Sequence, residues 1–298
     1  MTTGHGAPVP AKTRIANSMG KARVLMEALP YIQAFRGKSI VIKYGGSAMD
    51  DPSLRESFAG DVALLTNVGI RTVVVHGGGP QISVAMAAEG IEPHFVDGLR
   101  VTDAATLAVV QRVLAGMVNP DIVRLLGGRG VRAVGVTGLD AGLFTASPRH
   151  PQLGFVGEVS RVDTALIEAL EEQGMVPVVA PLGRADDGHV YNLNADTAAG
   201  ALAVALAAQK LVFLTDVEGV YRDPAQPDSL ISRMTGPELD ELMASGAVGG
   251  GMLPKLRSVQ EALGGGVHQA HILDGRIQHA LLLEMFTPEG IGTMVTNE

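Results

Sequence analysis

The 298-residue chain contains no cysteine. That removes disulfides, thiolate zinc sites and thiol nucleophiles together, and it suits a reducing compartment. Positive charge is in deficit: 23 Lys and Arg stand against 31 Asp and Glu, a net charge of -8. A basic footprint for nucleic acid is therefore not expected, while a local basic pocket for phosphate stays open. The longest apolar run, Ala198 to Ala208, is too short to cross a bilayer. The opening residues M-T-T-G-H-G-A-P-V-P lack the apolar centre of a secretory signal. The expectation is a soluble cytoplasmic protein with no membrane partner. Familiar catalytic signatures are also missing. The chain has no G-x-x-x-x-G-K-[S/T], no G-x-G-x-x-G, no G-x-S-x-G and no H-E-x-x-H, and its eight histidines are scattered. None of these histidines is expected to ligate a metal.

What is present is an alternation of strands and helices. Apolar residues make up 46% of the chain, enough to fill two lobes or one large α/β domain. The stretch V-V-V-H-G-G-G-P-Q-I, 73–82, reads as a buried strand, a bare-backbone turn and a helix opening with Pro80. A helix start of this kind carries unpaired N–H groups and partial positive charge, which suits an anion. Residues 1 to about 12 read as disordered, followed by a helix from about Thr13 to Phe35 with apolar steps at Ile15, Met19, Ala22, Met26, Leu29 and Ile32. Pro30 should kink or break that helix. Its apolar stripe packs either on its own domain or on another subunit. Strands are expected at 39–43, 73–75, 132–137, 155–162, 176–179, 190–193, 211–214, 268–273 and 293–296, with helices between most of them and a short hairpin in 91–102. Pro148 and Pro151 suggest a loop between the strands at 132–137 and 155–162. This order implies a three-layer α/β/α sandwich around a mostly parallel sheet. We divide the chain into an arm (1–35), an N-terminal lobe (36–194) and a C-terminal lobe (195–298).

Four strand ends or helix starts carry chemistry: K-Y-G-G-S at 43–47, H-G-G-G-P at 76–80, L-T-D-V-E-G-V-Y at 214–221 and G-G-G-M-L-P-K at 249–255. Ligands of open α/β sheets sit at the carboxyl ends of strands, where such loops gather. Two glycine loops point to two anionic groups, or to one phosphate approached from two sides. Lys43 and Lys255 each add mobile positive charge beside glycines, which a structural turn does not need.

These motifs, with D-G-L-R-V-T at 97–102 and N-L-N-A-D at 192–196, lie in the order and spacing of the amino-acid kinase family, which the chain resembles from about Ala22 to Thr296. Within the family it is similar to the arginine-inhibited branch that phosphorylates N-acetyl-L-glutamate. The resemblance implies transfer from ATP, with Mg²⁺, to a side-chain carboxylate, a step of arginine synthesis. A carboxylate of pKa ~4.3 is already ionised at neutral pH and needs no base; what must be overcome is repulsion between anions and charge building on phosphoryl oxygens. By the resemblance, Lys43 and Lys255 stabilise the transferring group and Asp196 holds the lysines; the plainer reading of Asp196 is a cap on its helix, and the two roles could coexist. Gly45, Gly46, Gly77 and Gly78 would offer backbone N–H groups. Arg100, Asn192 and Asn194 would bind the acylated amino acid, Arg100 through a bidentate fork. Thr215, Asp216, Gly219, Val220, Tyr221, Gly251 and Met252 would surround the nucleotide, and no protein ligand for Mg²⁺ is nominated. The arm and E-M-F-T-P-E-G-I-G-T-M at 284–294 further imply a homohexamer, a trimer of dimers, with an arginine site near Tyr31, Lys210, His268, Glu284 and Gly292. The rival readings are another family member, such as one acting on free glutamate, and a sensing module without turnover. The presence of Lys43, Lys255, Asp196 and Arg100 together argues against the module.

Overall fold

The computed structural model describes residues 11–297, apart from 224, 247, 249–251 and 289. The disorder expected for the first dozen residues thus falls largely outside the described chain. The first half runs α1 (Ala11–Phe35), β1 (Ser39–Tyr44), α2 (Pro52–Asn67), β2 (Arg71–His76), α3 (Gly79–Ala88), β3 (Phe95–Val96), β4 (Leu99–Arg100), α4 (Ala104–Val113), a π-helical turn (Leu114–Val118), α5 (Asn119–Gly127), β5 (Ala133–Thr137), β6 (Phe144–Pro148) and β7 (Val156–Val162). It continues with α6 (Ala165–Glu172), β8 (Val176–Ala180), β9 (Leu182–Arg184), β10 (Val190–Leu193), α7 (Ala195–Ala205), β11 (Lys210–Thr215), β12 (Val220–Tyr221), β13 (Leu230–Ile231) and β14 (Arg233–Thr235). Last come α8 (Gly236–Ala244), α9 (Met252–Gly264), β15 (Gln269–Asp274), α10 (Ala280–Phe286) and β16 (Thr293–Thr296).

Eight strands form one sheet in the order β14-β16-β15-β11-β1-β2-β8-β5. Every neighbouring pair is parallel except β15 with β16. Parallel strands are buried on both faces, which is why β1, β2, β8 and β11 read as near-continuous apolar runs. Side chains alternate between the faces. Ile40, Ile42 and Tyr44 join a core built with α2, α4, α5 and α10, while Val41 joins one built with α7, α8 and α9. Helices on both sides of the sheet give the expected three layers.

Several local expectations change. α1 does not break at Pro30 but runs through it to Phe35, which packs on the core. Most of its described stripe is not packed on this chain, with Met19 67%, Met26 65% and Leu29 37% exposed. The loop expected around Pro148 is instead β6, whose last residue is that proline. β6, β7, β9 and β10 close into a small barrel beside the main sheet. The hairpin in 91–102 does form, as β3 and β4, with Asp97 and Gly98 both at positive φ (50° and 78°). That is the pairing a two-residue hairpin turn demands.

Candidate active site

Strand parity places the first lysine. Lys43 shares the face of Val41, so it leaves the carboxyl end of β1 on the side covered by α7 and α9. β1 and β11 flank the point where the sheet order reverses, the crevice in which such sheets bind ligands. α7 comes close because it is built of small residues. Ala198, Ala199 and Ala203 are fully buried, and a side chain on Gly200 would begin 3.4 Å from the Ser258 carbonyl of α9. Asn194 caps α7, its Oδ1 accepting from the N–H groups of Asp196 at 2.9 Å and Thr197 at 3.1 Å. The capping role weighed for Asp196 therefore belongs to Asn194, and the Asp196 side chain is released for other work.

That work is to bridge the lysines. Lys255 Nζ donates to Asp196 Oδ2 at 2.8 Å, and Lys43 Nζ lies 3.1 Å from Oδ1, an ion pair without hydrogen-bond alignment. Burial alone would raise the Asp196 carboxyl, but Lys43 and then Lys255 outweigh it and hold the group at about 2. Asp196 is thus ionised at neutral pH and has no proton-accepting role there; it fixes two cations. Burial pulls the Lys255 ammonium below the usual lysine range, with Asp196 opposing and Lys43 adding to the pull. Lys255 also stands 5.1 Å over the Phe213 ring.

The glycine loops meet this pair. A side chain on Gly45 would begin 2.9 Å from Lys43 Nζ and 3.9 Å from the Gly77 nitrogen. Gly46 has φ +73°, and the space beside its Cα is filled by the Asp216 carboxylate at 2.6 Å, so a side chain there would be strained and would displace that carboxylate. Asp216 Oδ1 accepts from Ser47 N–H at 2.8 Å and Ser47 Oγ–H at 2.6 Å. Asp216 therefore ties the end of β11 to the loop after β1. Gly77 corrects one expectation. Its N–H donates to the Tyr44 carbonyl at 2.8 Å and is not available to a ligand.

Below the loops lies a cavity of about 170 Å³ lined by Gly77, Gly78, Gly79, Arg100, Asn192 and Asn194, among others. Arg100 is buried, lies 4.7 Å over the Phe95 ring, and donates to the Gly79 carbonyl at 3.0 Å and Ser83 Oγ at 2.8 Å. Burial lowers its pKa from the ordinary value. Asn192 Nδ2 donates to Thr102 Oγ at 3.3 Å. A guanidinium, two asparagines and glycine backbone in one concave space suit an acylated amino acid bearing carboxylates.

On the other side of the lysines, Thr215 ends β11 and Asp216 follows it, while Val220 and Tyr221 form β12. Val220 N–H donates to Thr293 Oγ at 2.8 Å, and Gly219 is crowded by Thr293 and Leu230. Tyr221 donates to Glu218. Met252 opens α9, and Gly251 lies outside the described residues. Among the described residues no cluster of three or more His, Asp or Glu stands ready for a resident metal, and no helix is long and apolar enough to cross a membrane.

Of the five residues proposed near an arginine site, Lys210, Glu284 and Gly292 come together and His268 does not. Exposed His268 precedes β15; the histidine that stands beside Lys210 and Glu284 is His271, on the buried face of that strand. Lys210 Nζ lies 2.9 Å from His271 Nε2, His271 Nδ1 lies 2.6 Å from Glu284 Oε1, and Glu284 Oε2 accepts from the N–H groups of Ile291 and Gly292. Phe35 of α1 faces Lys210 at 4.9 Å. Tyr31 is half-buried on the same end of α1. Strand parity on β15 was the signal that separates the two histidines.

The pattern described as the amino acid kinase family matches residues 38–274. The chain belongs to the amino acid kinase family. An acetylglutamate kinase from Symbiobacterium thermophilum is 52% identical over 288 residues, covering 93% of this chain and 98% of that protein. One from Synechococcus elongatus is 50% identical over 281 residues, covering 94% and 93%. Among solved structures, N-acetylglutamate synthase from Neisseria gonorrhoeae with coenzyme A and N-acetyl-glutamate superposes with a TM-score of 0.82 at 32% identity. The match covers 93% of this chain and 63% of that longer one. The same protein solved with coenzyme A and L-arginine gives 0.79 at 29% identity, covering 93% and 65%.

Proposed function

We propose that this protein transfers the γ-phosphoryl group of ATP to the side-chain carboxylate of N-acetyl-L-glutamate, giving an acyl phosphate on the route to arginine. The observation that carries the reading is the Lys43–Asp196–Lys255 bridge, set at the sheet's switch point between a carboxylate-binding cavity and the nucleotide side. The acceptor carboxylate oxygen attacks phosphorus and the ADP oxygen leaves. Both partners are anionic, so the work of the protein is to neutralise and align. Lys43 and Lys255 face the charge that builds on the phosphoryl oxygens, and Asp196 keeps both ammoniums in place. Arg100, Asn192 and Asn194 hold the acylated amino acid; Thr215, Asp216, Gly219, Val220, Tyr221, Gly251 and Met252 surround ATP. Mg²⁺ enters with ATP, as part of the substrate. The two halves of the sheet correspond to a substrate lobe (36–194) and a nucleotide lobe (195–298), working in the cytoplasm.

Arginine as an inhibitor belongs to the same reading. Its site would lie where Tyr31 and Phe35 of the arm meet Lys210, His271, Glu284 and Gly292, and the structural relative solved with L-arginine supports it. The exposed Met19, Val24, Leu25 and Met26 of α1 supply apolar surface, spread around the helix, for the arm-to-arm contacts of a hexamer. The test is ADP release with N-acetylglutamate, glutamate or aspartate as sole acceptor. Turnover on the acetylated acid alone is expected; turnover on free glutamate but not on the acetylated acid would move the protein to another branch of its family.

A further inference from the structure

The glycine loop after β2 is shaped by two buried side chains that the reaction does not use. His76 is 0% exposed, on the α4/α5 side of the sheet, with Nδ1 2.7 Å from the Gly77 carbonyl oxygen and Nε2 3.1 Å from Asn119 Nδ2. Asn119 Nδ2 also faces two backbone carbonyls, Val178 at 2.8 Å and Val136 at 3.2 Å. Two carbonyls accept only, so this end of Asn119 is its NH₂ group; its two N–H bonds are shared among the two carbonyls and His76 Nε2, and it cannot accept from the ring. His76 Nε2 is then bare, and the ring proton sits on Nδ1, donating to the Gly77 carbonyl. Burial pushes the His76 pKa down to about 4, with the Gly77 bond opposing, so the ring is neutral at pH 7.

The surroundings are fitted to this pair. Asn119 directly succeeds the π-helical turn Leu114–Val118, and π-turns insert a residue that re-aims the next turn of helix. A side chain on Gly135 would begin 2.0 Å from Asn119 Oδ1, so only glycine admits the amide there. Leu114 at the start of the same turn fills the space beside Gly78, at 2.7 Å from where a side chain would begin.

We propose that His76 and Asn119 are positioning residues that fix the Gly77–Gly78 peptide so that the Gly78 N–H faces the substrate cavity, with the π-turn delivering Asn119 and Leu114. In a trans peptide the carbonyl of one residue and the N–H of the next point in opposite directions. The Gly77 carbonyl is held toward the buried histidine, so the Gly78 N–H points the other way, into the space lined by Gly78, Arg100 and Asn192. That amide then serves the phosphoryl or carboxylate oxygens, while the Gly77 N–H, bound to Tyr44, cannot. What the amide does for turnover rests on the phosphoryl-transfer reading; which nitrogen of His76 carries the proton does not.

The test pairs two substitutions with one spectroscopic measurement. An Asn amide nitrogen can stand where His Nδ1 stands, whereas a Gln amide stands where Nε2 stands. His76→Gln keeps a partner for Asn119 but loses the donor to Gly77. Its kcat should fall roughly 10- to 100-fold, short of the 10²–10³ seen when an oxyanion donor is removed outright. His76→Asn keeps the Gly77 donor and should lose several-fold less. Equal losses in the two variants, or the reverse order, overturn the positioning role, since a purely structural link through Asn119 favours Gln. In the intact wild-type protein, ¹⁵N-detected imidazole spectra should show neutral His76 protonated on Nδ1 from pH 6 to 8. Protonation on Nε2 overturns the proposal whatever the substrate proves to be, and a wrong substrate assignment leaves this readout untouched.

Discussion

Replacing Asp196 by Asn removes one charge and almost no volume, which isolates the electrostatic work of the lysine bridge. Two unit charges ~3 Å apart attract by roughly 5 kcal/mol at an effective dielectric of ~20. Burial cancels part of this, and removing one partner of a buried ion pair costs about 3–5 kcal/mol. Asp196 has two partners, at 3.1 and 2.8 Å, so its loss leaves two ammoniums around one neutral amide. Asp196→Asn should therefore lower the unfolding free energy at pH 7 by about 3 kcal/mol, measured by urea denaturation, and lower kcat by ~10²-fold or more as the lysines disperse. The pH dependence supplies the sharper check. The carboxyl titrates at about 2 in the folded protein and at ~3.9 unfolded. Its stabilisation is complete above pH ~4 and disappears as pH falls toward 2, roughly 2–3 kcal/mol in all. The gap between wild type and variant should shrink across that window. Adding Lys43→Met to Asp196→Asn should recover more than about 1 kcal/mol of the loss, because it removes the repulsion that the first change created. Equal urea midpoints at pH 7, or a gap constant down to pH 2, would refute the account.

Arg100→Lys should raise KM for the acylated amino acid about 10- to 100-fold with kcat less affected, since an ammonium cannot reproduce the planar fork; initial-rate kinetics decide it. Ser47→Ala removes the hydroxyl that donates to Asp216 and should raise KM for ATP a few-fold, with the acceptor KM nearly constant. Asp61, 2% exposed on α2, has its carboxyl raised to about 6 by burial despite the His279 ring at 2.6 Å. Its contribution is present below pH ~4 and lost as pH rises through about 6. Asp61→Asn should accordingly gain on the wild type by about 2–3 kcal/mol between pH 4 and 7 in denaturation series. Removing residues 1–35 should leave a dimeric protein with turnover but little arginine response, read by light scattering and inhibition curves; a truncated protein inhibited normally would place the site elsewhere.

Legibility in the sequence followed the physics of each element. β1, β2, β8 and β11 announced themselves because a strand buried on both faces must be apolar throughout, and Lys43 and Lys255 stood out because lysines beside glycine loops have no structural use. β6 and β9 did not. They are short, carry Pro148 and Gly183, and exist only because β7 and β10 complete a small barrel around them. Asp196 and Asn194 were confused because both can cap a helix, and only the observed geometry shows that Asn194 takes the backbone donors. His76 and Asn119 were passed over for a different reason. A scattered histidine and an Asn-Pro pair look ordinary until a π-turn, which has no sequence signature, brings them within 3.1 Å. His271 was masked by a neighbour of the same type three residues earlier on a strand where only parity tells inside from outside.

The join between β1 and β11 has a consequence for how the molecule can move. Backbone bonds stitch Ile40–Lys43 to Lys210–Phe213 across the middle of the sheet, so the two halves are not beads on a string. Were the two halves to move toward each other, the strands would have to twist about this central suture. Severing the chain there would yield fragments with raw edges that associate or aggregate instead of folding alone.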